Sequence, residues 1–81
     1  MTCIAKLVWN DGVWYSKVIT DDGKPVGLTL ESESADTLID RIKLALPEML
    51  ELNFAYKGNI TVSFEIDRIE QLKTPVQDKN P

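Results

Sequence analysis

Histidine is absent from this sequence, and cysteine occurs once, at Cys3. The first absence removes the commonest zinc ligand and the usual general base, and the second rules out an internal disulfide. A metal site is therefore not expected. Ser16, Ser32, Ser34, Ser63 and Cys3 have no imidazole to activate them as nucleophiles, and Cys3 near a strand start reads more simply as a small core residue. The glycines, 4 in all, stand singly at turns or a strand start and form no phosphate-binding loop. No run of about 18 apolar residues is present, and no cationic stretch leads into an apolar one at the N-terminus. The expectation is a chain of the reducing cytoplasm that carries no cofactor and is not an enzyme.

What is present is enough for one core. The 81 residues are 43% hydrophobic and 27% charged, the composition of a folded domain rather than a disordered one. A chain of this length buries only about 60–65% of its unfolded surface, so its margin of stability is thin. Acidic residues outnumber basic ones 13 to 9, for a net charge of −4. That balance gives no general attraction to nucleic acid or anionic lipid and suits a basic partner better, although mild acidity also serves plain solubility.

Residues 3–9 and 13–20 are rich in β-branched and aromatic side chains and flank Asn10, Asp11 and Gly12, a strong hairpin signal. A two-residue turn at Asp11-Gly12 sets Trp9 opposite Trp14, Leu7 opposite Ser16, Ala5 opposite Val18 and Cys3 opposite Thr20, all on one face. The other face then carries Ile4, Lys6, Val8, Val13, Tyr15, Lys17 and Ile19. Here Lys6 and Lys17 oppose each other, which water tolerates and a dry core does not, so the tryptophan face is expected to be the core face. Small residues at Ala5 and Ser16 would let a helix approach it closely.

Asp21, Asp22, Gly23, Lys24 and Pro25 read as a turn, and residues 26–30 as a short third strand with Leu28 and Leu30 on one side. Ser34 is a plausible N-cap, followed by Asp36 in the first turn and by Leu38, Ile39, Ile42, Leu46, Met49 and Leu50 at spacings of three and four: an amphipathic helix. Pro47 is expected to kink or restart it, and Asn53 to stop it. After a turn at Lys57, Gly58 and Asn59, the alternation of Ile60, Val62, Phe64 and Ile66 with Thr61, Ser63, Glu65 and Asp67 predicts a fourth strand with one buried face. The expected fold is α+β in the order β-β-β-α-β: a three-stranded antiparallel meander plus a fourth strand, with one helix packed on one face of the sheet. Residues 1–72 are expected to form this single domain, and residues 73–81 a mobile tail.

The ordered set Trp9-Asn10-Asp11-Gly12-Val13-Trp14, Asp21-Asp22, Gly27-Leu28, Glu31 and Leu46-Pro47-Glu48-Met49-Leu50-Glu51-Leu52-Asn53 resembles the HicB-like antitoxin superfamily, and a short branch of it in particular. The resemblance covers about residues 4–53, and no single motif in it is specific. It implies a degenerate ribonuclease H-like sheet of strand order 3-2-1-4, and a domain that binds and blocks a small basic toxin that cleaves messenger RNA. Full antitoxins of this kind usually add a C-terminal DNA-binding element. Only a short segment follows Leu72 here, so direct promoter binding is not expected.

A ribonuclease H-like fold raises the question of metal-dependent cleavage, which requires carboxylates converging on magnesium. The expected strands disperse them: Glu65 and Asp67 lie on the outer side of the last strand, and Asp11 lies at the opposite end of the second strand from Asp21 and Asp22. Trp9 and Trp14 read as a cross-strand core pair, with an interface anchor as the rival. The candidate partner surface is the outer face, above all Val8, Val13, Tyr15 and Ile19, with Asp11, Asp21 and Asp22 as acidic turns steering a small basic protein toward it. A homodimer through this face, or cover by residues after Leu72, are the alternatives for the surface, and the alternative for the function is a self-assembling structural or small-ligand-binding domain with no toxin partner.

Overall fold

The computed structural model describes residues 1–67. Strands β1 (Thr2–Asn10) and β2 (Val13–Thr20) are joined by Asp11 and Gly12, both with positive φ, 54° and 84°. Two successive positive φ angles define the hairpin turn whose twist matches that of its strands. The register is the expected one, with Cys3 paired to Thr20, Ala5 to Val18, Leu7 to Ser16 and Trp9 to Trp14. Cys3, Ala5 and Leu7 are fully buried, and Trp14, Ser16, Val18 and Thr20 nearly so. The two indole rings lie 5.3 Å apart, centroid to centroid, and are tilted at 60°.

The third strand differs from expectation in place and length. Only β3 (Glu31–Ser32) pairs regularly with β2, opposite Tyr15 and Trp14. Residues 26–30 run beside β2 but bulge away from it: the Val26 N–H donates to Val18 O and the Ser16 N–H to Leu30 O, so the chain goes from residue 26 to 30 while β2 goes from 18 to 16. Gly27, with φ of 86°, opens this bulge, and a Cβ there would stand 3.0 Å from Asn53 Nδ2. Val26 and Leu28 are nonetheless buried, so the apolar alternation was a sound guide to burial and a poor one to pairing.

Helix α1 (Ala35–Phe54) begins as expected at Ser34, whose side chain accepts the Thr37 N–H. It buries Leu38, Ile42, Leu46 and Leu50 along a single four-residue spacing, each side chain contributing roughly 1.5–3 kcal/mol by leaving water. The helix runs through Pro47 without ending or restarting. Pro47 and Lys43 are both exposed, so the Lys43 carbonyl deprived of its helical partner lies on the solvent side. The helix ends one residue past Asn53, with Ala55 in the left-handed region at φ 52° and donating to Glu51 O. Asn53 itself does other work, its Nδ2 donating to Val26 O at 2.8 Å and clamping the bulge to the helix.

Strand β4 (Thr61–Asp67) lies parallel to β1 and completes a mixed sheet of order β3-β2-β1-β4 with α1 packed on one face, an α+β fold. Val62 and Phe64 pack against the core, but Ile66, expected on the buried side, is 56% exposed. The N-terminal ammonium donates to Tyr56 Oη and Asn59 O, both at 3.0 Å, and so ties the start of β1 to the loop that feeds β4. The expected domain bound at residue 72 and the expected tail, 73–81, lie outside the described residues. No helix among those described is long and apolar enough to cross a membrane.

Candidate functional site

The sheet face opposite α1 follows from the hairpin register. Across β2, β1 and β4 its rows read Ile19, Ile4, Ser63 and then Lys17, Lys6, Glu65; a third row carries Tyr15 and Val8, with Glu31 of β3 beside Tyr15. Pro25 bridges to Ile19 at the margin. Ile4, Val13 and Ile19 are half-buried, whereas Val8 and Tyr15 are each 40% exposed. Among the described residues nothing packs over this face, which is apolar at its ends and charged across its middle.

The middle row sets the electrostatics. Lys6 and Lys17 are directly paired, and neither belongs to the ion pairs of the described residues, which join Lys24 to Asp22 at 3.9 Å and Lys57 to Glu51 at 3.8 Å. Two ammonium groups side by side repel each other and favour an acceptor brought from outside. Glu65 stands next to Lys6 in the β1–β4 register and offsets part of that charge.

Of the three candidate aspartates, Asp11 is exposed in the turn beside Val13, whereas Asp21 and Asp22 lie at the far end of β2, about 25 Å away for an eight-residue strand. They do not form one cluster. Asp22 is occupied locally: it accepts a hydrogen bond from the Thr20 hydroxyl and pairs with Lys24, and these hold its carboxyl below the usual range, the Thr20 bond foremost. Thr20 Oγ1 in turn accepts the Lys24 N–H at 3.0 Å, closing the turn. Asp11, with no such engagement, is the better placed of the three to meet a partner.

Cys3 is fully buried, and burial pushes its thiol up, with Asp21 adding and the N-terminal ammonium opposing. A thiol so placed is packing material rather than a nucleophile. No group of three or more Cys, Asp or Glu side chains gathers among the described residues in a way that would hold a metal ion. Two shallow clefts flank the core. One, of about 210 Å³, is lined by Lys43, Leu46, Pro47, Ile60 and Val62. The other, of about 320 Å³, follows the bulge between β2 and residues 26–30.

Sequence reasoning missed the exposed apolar side chains outside the outer face: Leu44 at 82%, Leu52 at 71% and Ile66. The two leucines were readable, since neither falls in the buried row of Leu38, Ile42, Leu46 and Leu50. Ile66 was not, since strand alternation assigns a face without saying whether a neighbour covers it.

Residues 2–77, nearly the whole chain, match the family described as Domain of unknown function (DUF1902). The chain belongs to DUF1902. No curated protein and no solved structure matches it. The family match extends beyond residues 4–53, where the antitoxin resemblance is concentrated, and reaches past residue 72. In this DUF1902 domain the tryptophan hairpin and the Pro-Glu segment of the helix, which carry that resemblance, are core packing and exposed helix surface respectively.

Proposed function

We propose that this DUF1902 domain is a HicB-like, non-enzymatic binding module of the cytoplasm that sequesters a small basic, RNA-targeting protein on the outer face of its sheet. The observation that carries the reading is that face: Val8 and Tyr15 stand 40% exposed beside half-buried Val13, Ile4 and Ile19, a larger apolar area than a solvated sheet face requires. Tyr15 supplies an aromatic anchor with a polar tip, the kind of side chain enriched where binding energy concentrates. Asp11 and Glu31, exposed at the same end of the sheet, give a basic partner its electrostatic approach. A carboxylate or carbonyl on that partner would satisfy Lys6 and Lys17.

The same lysine pair opposes self-association through this face, because stacking two copies face to face would bury four ammonium groups, a cost of several kcal/mol per unpaired ion. The test is affinity purification of the tagged chain from its own cells in gentle salt, followed by mass spectrometry. The expected result is one small basic protein in fixed ratio, lost from Tyr15→Ala and Val8→Asp variants whose thermal unfolding is unchanged. Recovery of the chain without any basic protein would overturn the reading, and unfolding of both variants would show that the face is structural.

A further inference from the structure

The two edges of the sheet are not alike. At one, β3 offers two residues and then the bulge at Gly27, so little regular backbone is available for pairing. At the other, β4 runs for seven residues, Thr-Val-Ser-Phe-Glu-Ile-Asp, without proline, glycine or lysine, and no strand among the described residues lies beyond it. The Thr61 N–H donates to Met1 O, so Thr61, Ser63 and Glu65 turn their backbone groups toward β1. By the alternation of a strand, Val62, Phe64 and Ile66 turn theirs outward.

We propose that a second copy of this chain adds its own β4 antiparallel across this edge, in the register that sets Phe64 opposite Phe64 of the second copy. That register sets Val62 opposite Ile66 and Ile66 opposite Val62, so each outward N–H and C=O of the three residues enters a hydrogen-bonded pair. Sliding by two residues leaves one of the three unmatched in each copy. On the helix side, Ile66, 56% exposed in one copy, meets Val62 of the other, which lines the 210 Å³ cleft with Leu46, Pro47, Ile60 and, on its helix wall, Lys43. A protruding side chain and a mainly apolar hollow thus stand two residues either side of a common axis, a self-complementary arrangement of the kind two-fold interfaces require. On the opposite face Ser63 meets Glu65, so no like charges are opposed.

The contact is small beside a standard interface, so association should appear as concentration is raised rather than as a permanent dimer. The experiment is sedimentation equilibrium of the full chain across micromolar to millimolar concentration, with amide hydrogen exchange by NMR over the same range. Expected are a doubling of mass and, with it, at least a tenfold slowing of exchange at Val62, Phe64 and Ile66, while Ser63 and Glu65, already bonded to β1, do not change. Ile66→Lys is expected to stay monomeric with the same melting temperature at low concentration, and Tyr15→Ala to dimerise normally, which separates this edge from the outer face. A chain monomeric at millimolar concentration overturns the proposal. So does a dimer that leaves the three amides unprotected, or protection independent of concentration, which would place some other part of the same chain on the edge.

Discussion

The seam between β1 and β4 and the seam between β2 and its neighbour lie on either side of one hairpin, yet they are held by different means. Along β1–β4 the pairing is regular from Thr2–Thr61 to Val8–Asp67. Along β2 it is regular only at Tyr15–Glu31 and Trp14–Ser32; beyond them the backbone bonds, such as Ser16 N–H to Leu30 O and Val26 N–H to Val18 O, are isolated, and side chains reinforce them. The Ser16 hydroxyl accepts the Leu30 N–H at 2.9 Å, Asn53 donates to Val26 O, Arg41 donates to Glu31 O at 2.9 Å, and Thr20 ties the turn below. Where a bulge removes backbone partners, polar side chains of fixed reach must replace them, and each becomes individually costly to lose.

The largest test of this contrast is whether the two seams share one core. Ile42 is fully buried at the middle of the helix that covers both, and Ile42→Ala is expected to cost about 2–5 kcal/mol in urea unfolding. Far-UV circular dichroism and tryptophan fluorescence should shift together; separate transitions would mean that the seams unfold as independent units. Next in size is Ser16→Ala, which removes a nearly buried hydroxyl, leaves the part-buried Leu30 N–H without its acceptor and should cost about 1–3 kcal/mol. Ser63→Ala, at an exposed position of the regular seam, should stay within about 0.5 kcal/mol, and equal losses at the two serines would dissolve the distinction.

The smallest effect lies in the turn between Thr20 and Lys24. Asp22 has its carboxyl held down in the folded chain, so the unfolded chain takes up the proton first as pH falls. Its contribution is full above the ordinary carboxylate pKa and is lost as pH drops through the depressed folded value. Stability curves of the native chain and Asp22→Asn should differ slightly at neutral pH and converge in acid; a gap that persists in acid would assign the difference to something other than charge. Because Asp22 is exposed, solvent screening keeps the effect small.

The same contrast separates what was legible in the sequence from what was not. The hairpin register could be read because Asp11-Gly12 admits few turns and a slip of one residue would send Lys6 and Lys17 into the core. The helix could be read because its buried row recurs every four residues. Residues 26–30 misled because Val26, Leu28 and Leu30 alternate as a strand does, while the bulge depends on Ser16 and Asn53, 14 and 27 residues from their partners. Of the candidate site, the outer face followed from the lysine pair. The separate engagement of Asp22 depended on Thr20 and Lys24 geometry that spacing alone does not give.

The paired indoles near the hairpin tip have one further consequence. At 5.3 Å and a 60° tilt the two rings are close enough, and skewed enough, for their electronic transitions to couple. The hairpin therefore carries its own optical gauge, a paired-sign band in circular dichroism that depends on Trp9 and Trp14 sharing one side of the sheet. Slippage by a single residue would turn one ring away and extinguish that band, reporting strand alignment without any added label.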